Sequence, residues 1–269
     1  MGIVNVTADS FSDGAGRVDV AAACDHCDRL LAQGADLLDI GGESTRPGAT
    51  PPGAAEELAR VLPVVRHALT LGVPVSVDTS APEVMRAVLD AGADIVNDVR
   101  ALTRPGALAA VAAHPRAGIC LMHMRGEPAT MQELAEYGDV VAEVGAWLAE
   151  RVRAVQGAGV EPARVVVDPG IGFAKTPAHN LALLARQREL LALGQPLLVG
   201  WSRKSTLGVV TGRGVGDRLA ASVAAALMAV ERGAAVVRVH DVAATVDALR
   251  LWGAVAAGTH GKIADLTHS

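Results

Sequence analysis

The sequence has few aromatic residues: two phenylalanines, one tyrosine and three tryptophans among 269 residues, so a core must be built mainly from aliphatic side chains. The net charge of -5 gives no electrostatic reason to expect a nucleic-acid partner. No apolar run reaches the roughly 18 residues that a membrane span needs, and the N-terminus lacks the basic segment of a secretory signal. We therefore expect a globular cytoplasmic protein that binds neither nucleic acid nor membranes.

Cysteine is also scarce, with Cys24, Cys27 and Cys120 as the three examples. An odd number of cysteines in a chain without an export signal argues against a disulfide framework. Cys24 and Cys27 form a C-x-x-C pair, but no second pair completes the four ligands of a structural zinc site. We interpret the pair as two small apolar residues on one face of a helix.

Short apolar runs alternate with longer stretches of helical composition along the whole chain. Runs of this kind, bounded by turn residues, are typical of parallel strands buried on both faces, and the Ala/Leu/Arg/Glu stretches between them favour helix. The predicted strands cover residues 2–6, 36–40, 73–77, 94–97, 118–122, 164–167, 196–199 and 235–239. Eight strand–helix units in this length predict an α/β fold, a (β/α)8 TIM barrel.

We expect one domain over residues 1–257, because no linker or low-complexity segment interrupts the pattern. Residues 258–269 carry no clear strand or helix pattern and are predicted to form a flexible tail. The alternative fold is a doubly wound open sheet, but that fold usually has a G-x-G-x-x-G turn after its first strand, and none occurs here.

Polar side chains follow the predicted strands at the ends where the active site of a TIM barrel lies. They are Asn5, Thr7, Asp78, Thr79, Asn97, Asp98, His123, Asp168, Ser202, Arg203, Lys204, Arg238, His240 and Asp241, together with the segment 41–47. Any one of them could simply cap the next helix. Their convergence on one rim favours a polar pocket.

The rim residues combine two kinds of chemistry. One set is cationic, or can become so, and suits a phosphate group: Arg46, Lys204, Arg238 and His240. A second set mixes hydrogen-bond donors and acceptors and suits a flat heterocycle with amide and amino groups: Asp78, Asn97, Asp168 and Lys204. No H-x-x-x-H or H-E-x-x-H motif indicates a transition metal. A Mg²⁺ ion held by one or two protein oxygens and by phosphate would leave little trace in the sequence, and Asn5 is a candidate ligand.

Eight segments of the chain, taken together, resemble the bacterial dihydropteroate synthase family. They are GIVNVTADSFSDG (2–14), DIGGESTRPGA (39–49), SVDTS (76–80), VNDV (96–99), LMHMRGEPATMQ (121–132), DPGIGFAKTPAHN (168–180), LLVGWSRKS (197–205) and VRVHDV (237–242). The resemblance runs from residue 2 to about residue 250. It implies a (β/α)8 barrel, usually a homodimer, that joins 4-aminobenzoate to 6-hydroxymethyl-7,8-dihydropterin diphosphate in folate synthesis. It also implies diphosphate release, a Mg²⁺ cofactor and inhibition by sulfonamides.

The resemblance further implies three groups of contact residues. The pterin contacts fall on Asp78, Asn97, Asp168 and Lys204, with Arg238 over the face of the ring. The diphosphate contacts fall on Asn5, Thr45, Arg46, Arg238 and His240, with Asn5 also on the Mg²⁺ ion. The aminobenzoate contacts fall on Phe11, Pro47, Phe173, Ser202 and Lys204.

The implied reaction begins with ionisation at the pterin methylene group, after which the aryl amine attacks. Asp78, Arg46 and Lys204 are expected to be catalytic, with Asp78 offsetting the positive charge on the pterin. No strong base is needed, because a neutral aryl amine is a competent nucleophile. Positioning and charge stabilisation would supply most of the rate.

The sequence departs from the family pattern at Trp201, where a small residue or methionine is common. Its indole either narrows the aminobenzoate slot beside Ser202, which would alter the response to sulfonamides, or points away into helix packing. Family members also usually carry a short leader ahead of the first strand, whereas this sequence starts within that strand.

Two other functions remain as alternatives. A methyltetrahydrofolate methyltransferase-type domain shares the barrel and the pterin contacts, but methyl transfer needs no diphosphate clamp and would not call for the S-R-K, G-F-A-K and R-P-G loops. A non-catalytic pterin binder is the third hypothesis. The presence of every expected side chain argues against it.

Overall fold

The computed structural model describes residues 1–7, 19–43 and 52–257. Four of the predicted contact residues lie outside these ranges: Phe11, Thr45, Arg46 and Pro47. The predicted tail, residues 258–269, also lies outside them.

Eight short strands form one sheet. They are β1 (Gly2–Asn5), β2 (Leu38–Gly41), β3 (Val75–Asp78), β4 (Ile95–Asp98), β5 (Gly118–Met122), β6 (Val165–Asp168), β7 (Leu197–Val199) and β8 (Ala234–Val237). Their order in the sheet is their order in the chain, and every neighbouring pair is parallel. All eight strands coincide with predicted runs, with boundaries that differ by at most two residues.

The first and last strands approach each other at an isolated parallel bridge between Gly2 and Val239. There the amide of Ile3 donates to the carbonyl of Val239 at 3.1 Å, and the amide of Val239 donates to the carbonyl of Met1 at 2.9 Å. The arrangement is an α/β fold of the TIM-barrel type, in which this edge is joined by a bridge and not by a full ladder.

Helices alternate with the strands within the described ranges. They are α1 (Val20–Ala32), α2 (Ala54–Leu69), α3 (Pro82–Ala91), α4 (Ala107–Ala112), α5 (Val140–Gly157), α6 (Pro177–Ala185), α7 (Ser205–Thr211), α8 (Leu219–Glu231) and α9 (Val242–Ala256). Short 3₁₀ turns cover Met131–Leu134, Pro162–Arg164, Gln187–Leu193 and Val215–Asp217. None of the helices described has the length and apolar character that crossing a membrane requires.

Local sequence explains where several helices begin and end. The carboxylate of Asp19 accepts a hydrogen bond from the amide of Ala22 at the start of α1, and Asp139 caps α5 in the same way. Thr176 and His179 form a reciprocal capping box at α6. Gly92 ends α3 in the left-handed conformation, which glycine adopts without steric cost.

The two cysteines of the C-x-x-C pair lie on α1, as the sequence predicted. Cys27 is buried and Cys24 is partly buried, and both are free thiols. Burial raises the pKa of the Cys27 thiol to about 12, so it stays protonated at neutral pH. In the described part of the chain, no group of three or more His, Cys, Asp or Glu residues could hold a metal ion.

The core is built from aliphatic side chains, with Trp201 as the largest side chain that is almost fully buried. Its side chain is 2% exposed and packs in the main apolar cluster between sheet and helices. Its indole nitrogen makes no hydrogen bond to any residue that the structure describes. The indole therefore stabilises the fold through packing alone.

We expect Trp201→Ala to lower the free energy of unfolding by about 3–5 kcal/mol, because it removes a large buried ring and leaves a cavity. Trp201→Phe is the matched control. It keeps most of the buried volume and breaks no hydrogen bond, so its cost should be clearly smaller. Urea denaturation of the two variants checks this, and equal costs would contradict the packing role.

Candidate functional site

The C-terminal ends of the eight strands border a cavity of about 760 Å³. Every predicted contact residue within the described ranges contributes to its lining. They are Asn5, Asp78, Asn97, Asp168, Phe173, Ser202, Lys204, Arg238 and His240. Strand register explains part of this convergence, because Asp78 stands beside Asn97 on neighbouring strands, and Asn5 and Asp78 flank Gly41.

Arg238, at the end of β8, is held by two carboxylates from other strands. Its Nε donates to Oδ2 of Asp39 at 2.5 Å, and its Nη2 donates to Oδ2 of Asp78 at 3.0 Å. Burial opposes a charge on Arg238, but the two carboxylates outweigh this effect and raise the pKa of its guanidinium. The side chain is therefore a fixed cation at one wall of the cavity.

Asp39 in β2 organises this wall, although the sequence analysis did not select it. Its side chain is fully buried. It also accepts hydrogen bonds from Ser76 at 2.6 Å and from the amide nitrogen of Asn97 at 3.2 Å. A carboxylate inside an apolar strand run was the available signal, since a buried charge needs partners.

Asp78 and Asp168 are carboxylates in surroundings that disfavour ionisation. Burial raises the pKa of Asp78, while the Arg238 guanidinium opposes the rise. Burial also raises the pKa of Asp168, and the amide of Gly170 and the Lys204 ammonium oppose it. For both carboxylates the effect of burial is larger than the compensation from their neighbours.

Lys204 follows β7 and faces the loop that follows β6. Burial lowers the pKa of its ammonium to about 8, with Asp168 opposing the shift. Its Nζ lies 4.3 Å from the centroid of the Phe173 ring, within the range of a cation–π contact. The ammonium and the ring therefore form adjoining parts of one wall.

The loop after β6 turns sharply because of Gly170. This residue has a φ of +68°, and its amide donates to Oδ1 of Asp168 at 2.7 Å. A Cβ atom at this position would lie 2.0 Å from the carbonyl oxygen of His123, so no other residue fits without a shift of the backbone. The turn holds Asp168 at the strand end and carries Phe173 to the rim.

Phe173 packs in a small apolar cluster separate from the main core. Its neighbours there are Val99, Met122, Met124, Met131 and Ala174. Phe173, Val99, Met122 and Met131 all line the cavity. One side of the cavity is consequently apolar, while carboxylates and cations line the other.

Ser202 and His240 meet on the side of the cavity near β8. The amide of His240 donates to the Ser202 hydroxyl at 3.1 Å, and Nδ1 of His240 lies 3.0 Å from the same oxygen. Burial lowers the pKa of His240 to about 4, and the Arg238 and Arg203 guanidiniums add to this effect. The sequence treated His240 as potentially cationic, but its imidazole is neutral at pH 7 in this arrangement.

Trp201 does not face the cavity. Gly200 and Ser202, on either side of it, contribute to the lining, whereas the indole is buried in the main core. Of the two alternatives left by the sequence, the structure supports the one in which the ring points into the packing.

A second buried polar network, also absent from the sequence analysis, joins the rim segments. Arg100, after β4, pairs with Glu43 at 3.0 Å and with Glu127 at 2.7 Å, and it donates to Ser80 at 2.9 Å. These partners follow three other strands. No local pattern could reveal the network, because its members are distant in the sequence.

Comparisons with known proteins agree with this geometry. The family model for pterin-binding enzymes matches residues 1–240. The chain is 46% identical over 263 residues to the dihydropteroate synthase of Escherichia coli strain K12, a match that covers 97% of this chain and 93% of that protein.

Solved structures give the same result. The dihydropteroate synthase of Xanthomonas albilineans, determined with 4-aminobenzoic acid, is 54% identical, with a TM-score of 0.90 over 96% of this chain and 92% of that one. The Yersinia pestis dihydropteroate synthase in a sulfonamide drug complex is 44% identical, with a TM-score of 0.90 over 96% and 94% of the two chains. The chain belongs to the family of pterin-binding enzymes and, within it, to the dihydropteroate synthases.

Proposed function

We propose that the two-sided cavity holds dihydropterin diphosphate against its polar wall and 4-aminobenzoate against its apolar wall. The reaction joins the two substrates into 7,8-dihydropteroate and releases diphosphate. The proposal depends on one observation. Asp168, Lys204 and Phe173 all line the cavity, and they lie where its polar and apolar walls adjoin. The 4-aminobenzoic acid bound by the relative from Xanthomonas albilineans supports it.

The pterin ring is assigned to Asp78, Asn97, Asp168 and Lys204. Carboxylates with raised pKa values gain most from donors, and the amino and ring N–H groups of a pterin supply them. Lys204 would donate to an acceptor atom of the ring. Arg238, fixed by Asp39 and Asp78, would lie over the face of the ring.

The aminobenzoate ring is assigned to the wall formed by Phe173, with Ser202 and Lys204 as its polar contacts. Lys204 borders both substrates, which suits a residue at the point where they are joined. Phe11 and Pro47 complete this group in the proposal, although both lie outside the described residues. The sulfonamide bound by the relative from Yersinia pestis supports sulfonamides as inhibitors of this chain, and we assign them to the same wall.

The diphosphate is assigned to Arg238, His240 and Asn5, with Thr45 and Arg46 from outside the described ranges. Asn5 offers an amide oxygen at the cavity, and the described residues hold no cluster of carboxylates or histidines for a metal. This donor set fits Mg²⁺ bound chiefly through the phosphates of the substrate. When bound, the ion would neutralise part of the charge that develops on the leaving diphosphate.

The chain would promote the reaction through charge and position. The bond between the pterin methylene carbon and the diphosphate oxygen breaks first, and Asp78 offsets the positive charge left on the pterin. Arg46 and Lys204 would stabilise the departing negative charge and orient the amine. The amine nitrogen then forms the new bond to the methylene carbon and loses a proton to the departing diphosphate or to water.

We also propose a homodimer, a fully closed (β/α)8 barrel and a single domain over residues 1–257. The bridge between Gly2 and Val239 supports closure. Exposed apolar residues on the last three helices support a dimer, because burial of exposed apolar surface favours association. They are Val209, Val210, Leu219, Leu251, Trp252 and Val255.

The direct test measures diphosphate release from dihydropterin diphosphate with Mg²⁺, with and without 4-aminobenzoate. We expect release only when the aminobenzoate is present, together with formation of 7,8-dihydropteroate. A methyltransferase-type domain would release no diphosphate under either condition. A non-catalytic binder would bind the pterin substrate without turnover, and either result would contradict the proposal.

Asp168→Asn tests the pterin assignment. Loss of a hydrogen bond to a charged group costs about 1.5–3 kcal/mol, so pterin affinity measured by calorimetry should fall about 10- to 100-fold. Asp94→Asn is the matched control. That carboxylate also accepts a backbone amide, from Val75 at 2.8 Å, but it precedes β4 at the opposite end of the sheet. Equal losses of affinity in both variants would contradict the assignment.

Leu251→Glu tests the proposed dimer. Leu251 is 69% exposed on α9, and a charge at its position would have to be desolvated in an apolar interface. We expect this variant to sediment as a monomer, whereas Leu181→Glu on α6, also exposed, should remain a dimer. A monomeric unmodified protein would refute the dimer itself.

A further inference from the structure

Lys175 is the charged residue of the DPGIGFAK segment that has no role in the proposed reaction. Its side chain is 3% exposed and does not contribute to the lining of the cavity. Burial lowers the pKa of its ammonium to about 7, with Asp168 opposing the shift, so the charged form depends on the acceptors around it. The positions of these acceptors indicate the role of Lys175.

The Lys175 ammonium joins two separate segments of the rim. Its Nζ donates to the carbonyl of Phe173 at 2.9 Å and to the carbonyl of His123 at 3.3 Å. It also lies 2.9 Å from Nδ1 of His123. Three acceptors match the three N–H donors of an ammonium group. Because His123 follows β5 and Phe173 follows β6, the side chain ties the ends of two neighbouring strands together.

His123 is a firm anchor for this contact. Burial lowers the pKa of its imidazole to about 2, and the Lys175 ammonium adds to the effect, so the ring is neutral and Nδ1 is able to accept a hydrogen bond. The ring packs edge-on against Trp147 of α5, with centroids 5.0 Å apart and an interplanar angle of 82°. The acceptor side of the contact is therefore fixed by the core.

The other side of the contact is a loop under backbone strain. Ala174, between Phe173 and Lys175, has a φ of +49°, which is unfavourable for a residue with a Cβ atom. Such a conformation persists when neighbouring interactions over-determine it. The hydrogen bond from Lys175 to the Phe173 carbonyl supplies one of these interactions, directly at the residue whose ring forms the apolar wall.

We infer that Lys175 is a positioning residue for the second substrate: by bonding the Phe173 carbonyl to His123, it sets the place of the Phe173 ring against which the aminobenzoate lies. The inference rests on the proposed function. It assigns to Lys175 a larger effect on 4-aminobenzoate than on the pterin, because its hydrogen bonds go to Phe173 and His123, whereas it acts on the pterin contact Asp168 only through its charge.

The first test is Lys175→Met, which keeps the length of the side chain and removes all three donors. We expect the KM for 4-aminobenzoate to rise about tenfold, since a displaced wall misplaces the substrate, while the KM for dihydropterin diphosphate changes less than about threefold. Gln187→Met is the matched control. Gln187 is also buried and donates to two backbone carbonyls, those of Ala229 and Arg232, but away from the cavity. It should leave both KM values unchanged.

The second test is a double-mutant cycle with Phe173→Ala. If Lys175 acts through the Phe173 ring, then Lys175→Met should raise the KM for 4-aminobenzoate by less than about threefold once that ring is absent, because effects of coupled residues do not add. Lys175→Gln, which keeps a shorter donor, provides a second variant and should give the same pattern with a smaller rise.

Several outcomes would overturn the inference. Equal changes in the two KM values, or additive effects in the cycle, would make Lys175 a residue of general structural importance. Failure of both Lys175 variants to fold, while Gln187→Met folds, would have the same meaning. Absence of turnover in the unmodified protein is a different result, since it would refute the proposed function before any variant is compared.

Discussion

The polar half of the cavity depends on one buried ion bridge, in which Arg238 spans Asp39 and Asp78. Arg238 directly follows β8, and Asp39 and Asp78 lie in β2 and β3, so the bridge joins the end of the last strand to two early strands. Asp39 is fully buried and is also bonded to Ser76 and Asn97. Removing one member of such a set would leave an uncompensated buried charge, which costs far more than a surface ion pair contributes.

Because of this bridge, the two walls of the cavity are held in place in different ways. A cation whose place is fixed before any ligand arrives loses little freedom on binding, so the polar wall is preorganised. The second side is built differently. Phe173 stands on a loop that needs a glycine at position 170, a strained alanine at position 174 and a buried amine at position 175 to hold its shape. Strand ends therefore define the polar wall of the cavity, and the loop held by these three residues defines the apolar wall.

The sequence predicted the alternation of strands and helices well, because valine-rich runs and turn residues are local signals. It also identified the residues around the cavity, through their place at strand ends and through resemblance to a known family. It could not identify Asp39 as the partner of Arg238, or the joining of Glu43 and Glu127 by Arg100, because these contacts link residues that are far apart in the chain. The direction of Trp201 was equally inaccessible, since neighbouring positions at the end of β7 face opposite ways.

The few aromatic residues are divided between the main core and the small apolar cluster beside the cavity. Valine, alanine and leucine fill the main core, and Trp201 occupies one place within it. The Phe173 ring instead lies in the separate small cluster beside the cavity, where four of its five neighbours also have extended or branched apolar side chains. A flat ring there gives the cavity a planar apolar surface, and the Lys204 ammonium over its face makes a cation–π contact that an aliphatic residue could not make. The aromatic side chain is thus placed where its geometry, and not merely its hydrophobicity, is needed.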